Sequence, residues 1–160
     1  MLKKLINYTD YNGVEREEEF YFNLTKGEIL KMEFSKQGGF ETYIRKIATT
    51  TDIPELMKFF DELIKASYGV KSDDGRRFIK NEEVWNEFEQ TGAYSELLTE
   101  LLISENADAA IEFVNGILPS EFSLSNVDPS QLPKIPGVNN EEVLKRITAN
   151  QPTEKPGPPK

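Results

Sequence analysis

Eight of the nine prolines in this 160-residue chain lie at or beyond Pro119. Proline has no backbone N–H and a fixed φ, so neither helix nor sheet can run far through a segment so interrupted. Extended regular structure is therefore expected in residues 1–118, a length that can bury a real core. Residues 119–160 read as a Pro-rich, largely irregular extension. It has room for one short amphipathic helix at 140–149, through Val143, Leu144 and Ile147, and a disordered tail from Gln151 to Lys160, ending in Pro156-Gly157-Pro158-Pro159-Lys160.

Within the first 118 residues two patterns alternate. Residues 2–11 and 14–22 are rich in Tyr, Phe, Ile, Thr and Val, and Asp10-Tyr11-Asn12-Gly13 lies between them, which predicts an antiparallel hairpin. A two-residue Asn-Gly turn would set Asp10 opposite Glu15, a like-charge pair, whereas a longer turn from Asp10 to Gly13 avoids it. The spacing leaves both registers open. Arg16-Glu17-Glu18-Glu19 should be solvated, with Phe20-Tyr21-Phe22 as the anchor. A lone hairpin is marginal in water, so this one must pack on helices or pair with another chain.

From Asn23 the period becomes helical. Thr25 caps a helix over 26–34, with Glu28 completing a capping box, and Gly38-Gly39 breaks it. Phe40, Tyr43, Ile44 and Ile47 form the next stripe. Asp52 opens another helix, with Pro54 in its first turn and Glu55 at the box position; Ile53, Leu56, Met57, Phe60, Leu63 and Ile64 face inward and Gly69 ends it. Asn81 caps a helix bearing Val84, Trp85 and Phe88. Thr91-Gly92 opens one bearing Leu97, Leu98, Leu101 and Leu102, and a last helix carries Ala107, Ala110, Ile111, Val114 and Ile117. The fold class expected is mainly α with an N-terminal β-hairpin (α+β), followed by the extension.

Composition removes whole classes of function. The chain has no cysteine and no histidine. That excludes disulfides, thiol catalysis, sulfur-ligated zinc and the histidine-based dyads, so an enzyme is not expected and no cofactor is implied. The net charge of −9 argues against a general nucleic-acid binder. The acidic excess falls in residues 70–118, between segments that are nearly neutral. No apolar run reaches the ~20 residues of a membrane span, and no export signal is legible, so a soluble cytoplasmic protein is expected.

Against this acidic background, residues 67–80 stand out: Ser-Tyr-Gly-Val-Lys-Ser-Asp-Asp-Gly-Arg-Arg-Phe-Ile-Lys. A calcium loop aligned on Gly75 would place Val70 and Asn81 where carboxylates are required, so the loop fails as a metal site. A polar turn between two helices, held by Asp side chains, fits better. Arg76, Arg77 and Lys80 could meet an acidic partner, with Phe78 as an apolar anchor and Tyr68 and Trp85 beside it. The alternative is local: the arginines brace the acidic helices after residue 82, and Phe78 and Ile79 tuck into the core. The abundant carboxylate pairs, such as Glu83 and Glu87 on one helix face, read as solvated surface.

One family matches in its residues. Tyr8-Thr9-Asp10-Tyr11-Asn12-Gly13-Val14-Glu15-Arg16, Phe20-Tyr21-Phe22-Asn23-Leu24-Thr25-Lys26, Gly38-Gly39-Phe40, Ser67-Tyr68-Gly69, Lys71-Ser72, Asp74-Gly75-Arg76-Arg77-Phe78-Ile79-Lys80, Thr91-Gly92-Ala93-Tyr94-Ser95-Glu96-Leu97 and Phe113-Val114-Asn115-Gly116-Ile117 carry the match. In these the chain resembles the tail assembly chaperones of long-tailed phages and prophages of Gram-positive bacteria. The resemblance implies a non-enzymatic protein that coats the tape measure protein in the host cytoplasm. It would be displaced as tail tube protein polymerises and be absent from the mature virion. It also implies self-association and, in many relatives, a longer frameshifted product. A structural tail or connector protein and an acidic DNA mimic are the competing readings.

Overall fold

The computed structural model describes residues 1–40, 42–43, 52–103 and 108–122. Strands β1 (Leu2–Thr9) and β2 (Glu15–Phe22) form the expected hairpin, with Leu2 opposite Phe22 and Thr9 opposite Glu15. The longer turn is the one adopted. Asp10 N–H donates to Val14 O and Gly13 N–H to Asp10 O, both at 2.9 Å. Gly13 sits at φ 79°, the left-handed conformation that a type I turn closed by a bulge demands. Asp10 accepts from the N–H groups of Asn12 and Val14 and pairs with Arg16. The hydrogen bond from Val14, followed by that from Arg16, holds its carboxyl below the usual range.

Helix α1 (Lys26–Ser35) starts at the predicted capping box: Thr25 Oγ1 accepts from Glu28 N–H, and the Glu28 carboxylate accepts from Thr25 N–H. Phe40 and Tyr43 lie where the next stripe begins; Ile44 and Ile47 lie outside the described residues. Helix α2 (Ile53–Ser67) has Pro54 in its first turn, but the Asp52 side chain makes no capping hydrogen bond. Its buried face is Phe59, Phe60, Leu63, Ile64 and Ser67. The expected stripe was rotated by part of a turn: Ile53 and Met57 are exposed and Phe59 takes the inward place.

The segment after α2 departs most from expectation. It is no capped turn between helices but a second hairpin, β3 (Tyr68–Lys71) and β4 (Phe78–Ile79), that joins β2 and makes an antiparallel sheet in the order β1-β2-β3-β4. Helix α2 ends at Ser67, and Gly69 is a strand residue. Glycine is required there by close approach: a Cβ at 69 would lie 2.7 Å from Phe78 Cε1 and 2.9 Å from Ile79 O. The tip is the polar turn anticipated, with Asp74 accepting from Ser72 Oγ and Arg76 N–H.

Helices α3 (Glu82–Glu89), α4 (Gly92–Ile103) and α5 (Asp108–Ile117) follow, the first capped by Asn81 as predicted, and a 3-10 turn spans Ser120–Phe122. They cover one face of the sheet. Ile6, Tyr8, Phe22 and Tyr68 point into this core, against Trp85, Phe88, Leu97 and Phe113. Tyr68 stacks on Phe88 with ring centroids 4.2 Å apart, and Phe22 meets Phe113 edge-on at 5.2 Å. Leu24 N–H donates to Ile117 O, closing the end of β2 on the end of α5. The chain is therefore mainly helical with an N-terminal hairpin, and that hairpin is half of a larger sheet. Residues 123–160, with the helix expected at 140–149, lie outside the described residues.

Candidate functional site

A cleft of about 580 Å³ opens between α1, the C-terminal end of α2 and the start of α3. Its α1 wall is one helical face, Glu28, Lys31, Met32 and Ser35, which the 3.6-residue period brings together. Lys65 and Ala66 close it from α2, and Tyr68, Lys80, Glu82 and Trp85 complete the floor and far wall.

Lys80 is the organising residue. Its ammonium donates to Asn23 O at 2.6 Å, to the Glu28 carboxylate at 2.7 Å and to Ala66 O at 3.0 Å. An ammonium has three N–H groups, and all three are used. The bond to Ala66 O also satisfies a carbonyl of the last turn of α2, where a cation is favoured by the helix dipole. Burial works against the ionised form of Glu28, but the hydrogen bonds from Lys80 and from Thr25 outweigh it, and its pKa lies below the ordinary carboxylate value.

Of the other residues singled out from sequence, Tyr68 and Trp85 are buried, with Trp85 edge-on to Tyr94 and the Lys65 ammonium 5.7 Å from its ring centroid. Phe78 is half-buried over Gly69. Arg76 and Arg77 are exposed on the β3–β4 tip. Neither brace predicted for them forms: Glu82 pairs with Lys65 at 3.1 Å, and among the described residues neither guanidinium makes an ion pair. The structure thus gathers Tyr68, Lys80 and Trp85 at one cleft and leaves the two arginines outside it.

Sequence reasoning missed the outer stripe of α1. Leu30 and Phe34, four residues apart on one face, are 53% and 87% exposed. Neither side chain lines the cleft. The available clue was the helix's own pattern, with Ile29, Leu30, Met32 and Phe34 spread around it too widely for one buried face.

A family model described as Phage tail assembly chaperone matches residues 1–155. The chain belongs to the phage tail assembly chaperones. No curated protein and no solved structure matches it. Among the described residues of this chaperone no helix is long and apolar enough to cross a membrane. The family is one of assembly factors, which bind tail proteins.

Proposed function

We propose that this chain is a non-enzymatic chaperone that binds the tape measure protein during tail morphogenesis. It keeps that client soluble in the host cytoplasm, yields it as tail tube protein polymerises, and is left out of the mature virion. The observation that carries this reading beyond family membership is the exposed Leu30–Phe34 stripe on the outer face of α1. An apolar helical segment of a client can lay its face on this stripe, reading anchors at i and i+4 spacing. Lys31 on the rim, and Arg76 and Arg77 on the hairpin tip, offer cations to acidic residues flanking such a segment. Tyr68, Phe78, Lys80 and Trp85 act beneath the surface, by holding the cleft walls in place. The net charge of −9 keeps a loaded complex dispersed.

Co-expression tests this. The wild-type chain should raise the soluble fraction of the tape measure protein several-fold and co-purify with it. The double variant Leu30→Asp, Phe34→Asp should fold normally and lose both effects. A client that aggregates equally with or without the wild-type chain would sink the proposal. Stoichiometric recovery of the chain from purified virions would instead favour a structural tail component.

A further inference from the structure

We infer that residues 140–149 dock as a short amphipathic helix on the outer face of α1, over Leu30 and Phe34 of their own chain. The described fold ends at the head of that face. Glu121, in the 3-10 turn, pairs with Lys26 at 2.8 Å. Lys26, Leu30 and Phe34 follow one another at intervals of four residues, so they lie along one line of α1. At the rise of an α-helix that line is roughly 12 Å long. Twenty residues separate Phe122 from Val143. A coil of that length spans roughly 25 Å, and Pro129, Pro133 and Pro136 favour extension, so the segment reaches the stripe from either end. The family match runs on to residue 155, which makes the segment part of the family's own chain.

Each side supplies what the other lacks. Leu30 and Phe34 are exposed. Gly27, one turn before Leu30, has open space where a Cβ would stand, so a second helix can come close there. In the extension, Val143, Leu144 and Ile147 share one face at helical spacing, and Asn139 stands where a cap is needed. A helix this short is marginal alone in water, so it forms by burying its apolar face. Charge sets the direction. Lys31 and Glu33 flank the stripe on opposite sides, and among the described residues Lys31 makes no ion pair. Glu141 and Arg146 flank the apolar triplet in the same way. Laid antiparallel to α1, the segment turns Glu141 toward Lys31 and Arg146 toward Glu33, whereas laid parallel it sets Arg146 against Lys31. A tether of this length holds the segment at an effective concentration on the order of millimolar, so a weak contact suffices. The docking stands without the client-binding reading; on that reading, a client has to displace the segment to reach the stripe.

The experiment uses the purified full chain at low micromolar concentration, without client. In the triple variant Val143→Asp, Leu144→Asp, Ile147→Asp, the amide NMR signals of Leu30, Lys31 and Phe34 should move, and those of β1 should not. Protection of the Leu144 and Ile147 amides from exchange should fall with Lys31→Glu and recover when Glu141→Lys is added. In a chain without native cysteine, Lys31→Cys paired with Thr148→Cys should close a disulfide within the chain roughly tenfold faster than Lys31→Cys paired with Thr153→Cys. Met57→Cys paired with Thr148→Cys, which probes the exposed Ile53 and Met57 of α2, should be as slow as that control. Signals of α1 indifferent to the triple variant would overturn the inference. So would Leu144 and Ile147 amides that exchange as freely as Thr153, equal rates for the two Lys31→Cys pairs, preference for Met57→Cys, or cross-links that form only between chains. Failure of the client-binding reading shows separately, as client solubility that Leu30→Asp, Phe34→Asp leaves unchanged.

Discussion

Lys80 shows how one side chain can be misread and still be central. From sequence it belonged to a basic cluster of unknown purpose; in the structure its three bonds tie the end of β2, α1 and the end of α2 together. Lys80→Met keeps the stem but leaves two carbonyls and a part-buried carboxylate without their donor. It should cost about 2–3 kcal/mol in urea denaturation, in the range for hydrogen bonds to charged groups. Arg76→Ala and Arg77→Ala should each stay within about 0.5 kcal/mol, because among the described residues their guanidinium groups make no ion pair. Glu28 gives the same junction a pH signature. Its folded pKa is depressed, so its contribution is complete above its unfolded value, about 4.3, and is lost as pH falls through the lower folded value. Glu28→Gln should be less stable than wild type near neutrality, and the gap should narrow on acidification below pH ~4. A gap that widens there would contradict the assignment.

At the scale of elements, helices were legible wherever a cap and a stripe coincided. Thr25 with Glu28, and Asn81 with Val84 and Trp85, set starts that the backbone obeys. The β3–β4 hairpin was not legible, for a physical reason. Its strands pair over two positions, Val70 with Ile79 and Lys71 with Phe78, too few for an alternating pattern to emerge. Gly69 looked like a helix terminator because glycine often is one, yet here it makes room for the Phe78 ring. The rotated face of α2 has a related cause: Phe59 and Phe60 are adjacent, and the core rather than the helix period decides how far both turn inward. Gly69→Ala should destabilise by about 1–3 kcal/mol, since Ile79 O is backbone and cannot swing aside. A neutral Gly69→Ala would mean that β4 is free to move off β3. The cleft itself was half visible: Tyr68, Lys80 and Trp85 were chosen from the sequence, but only folding places the α1 face opposite them.

At the scale of the whole molecule, the core is built from both ends of the described chain. β1 and β2 come first in sequence, yet the core they face is supplied by residues 82–118. A chain ending at residue 103 would lack Phe113, Val114 and Ile117, which are among the most buried side chains. Such a truncation should show no cooperative thermal transition; a sharp one would mean that α5 is an accessory. The contact of Leu24 N–H with Ile117 O gives this dependence a time axis. On the ribosome, at ~5–20 residues per second, the hairpin emerges several seconds before its last partner does. During that interval its apolar face and its unpaired edges are both exposed. On the proposed function, a protein that shelters another chain's sticky surfaces passes through a brief stage in which it needs sheltering itself, and the glutamates of β2 are the part of the nascent hairpin already equipped for it.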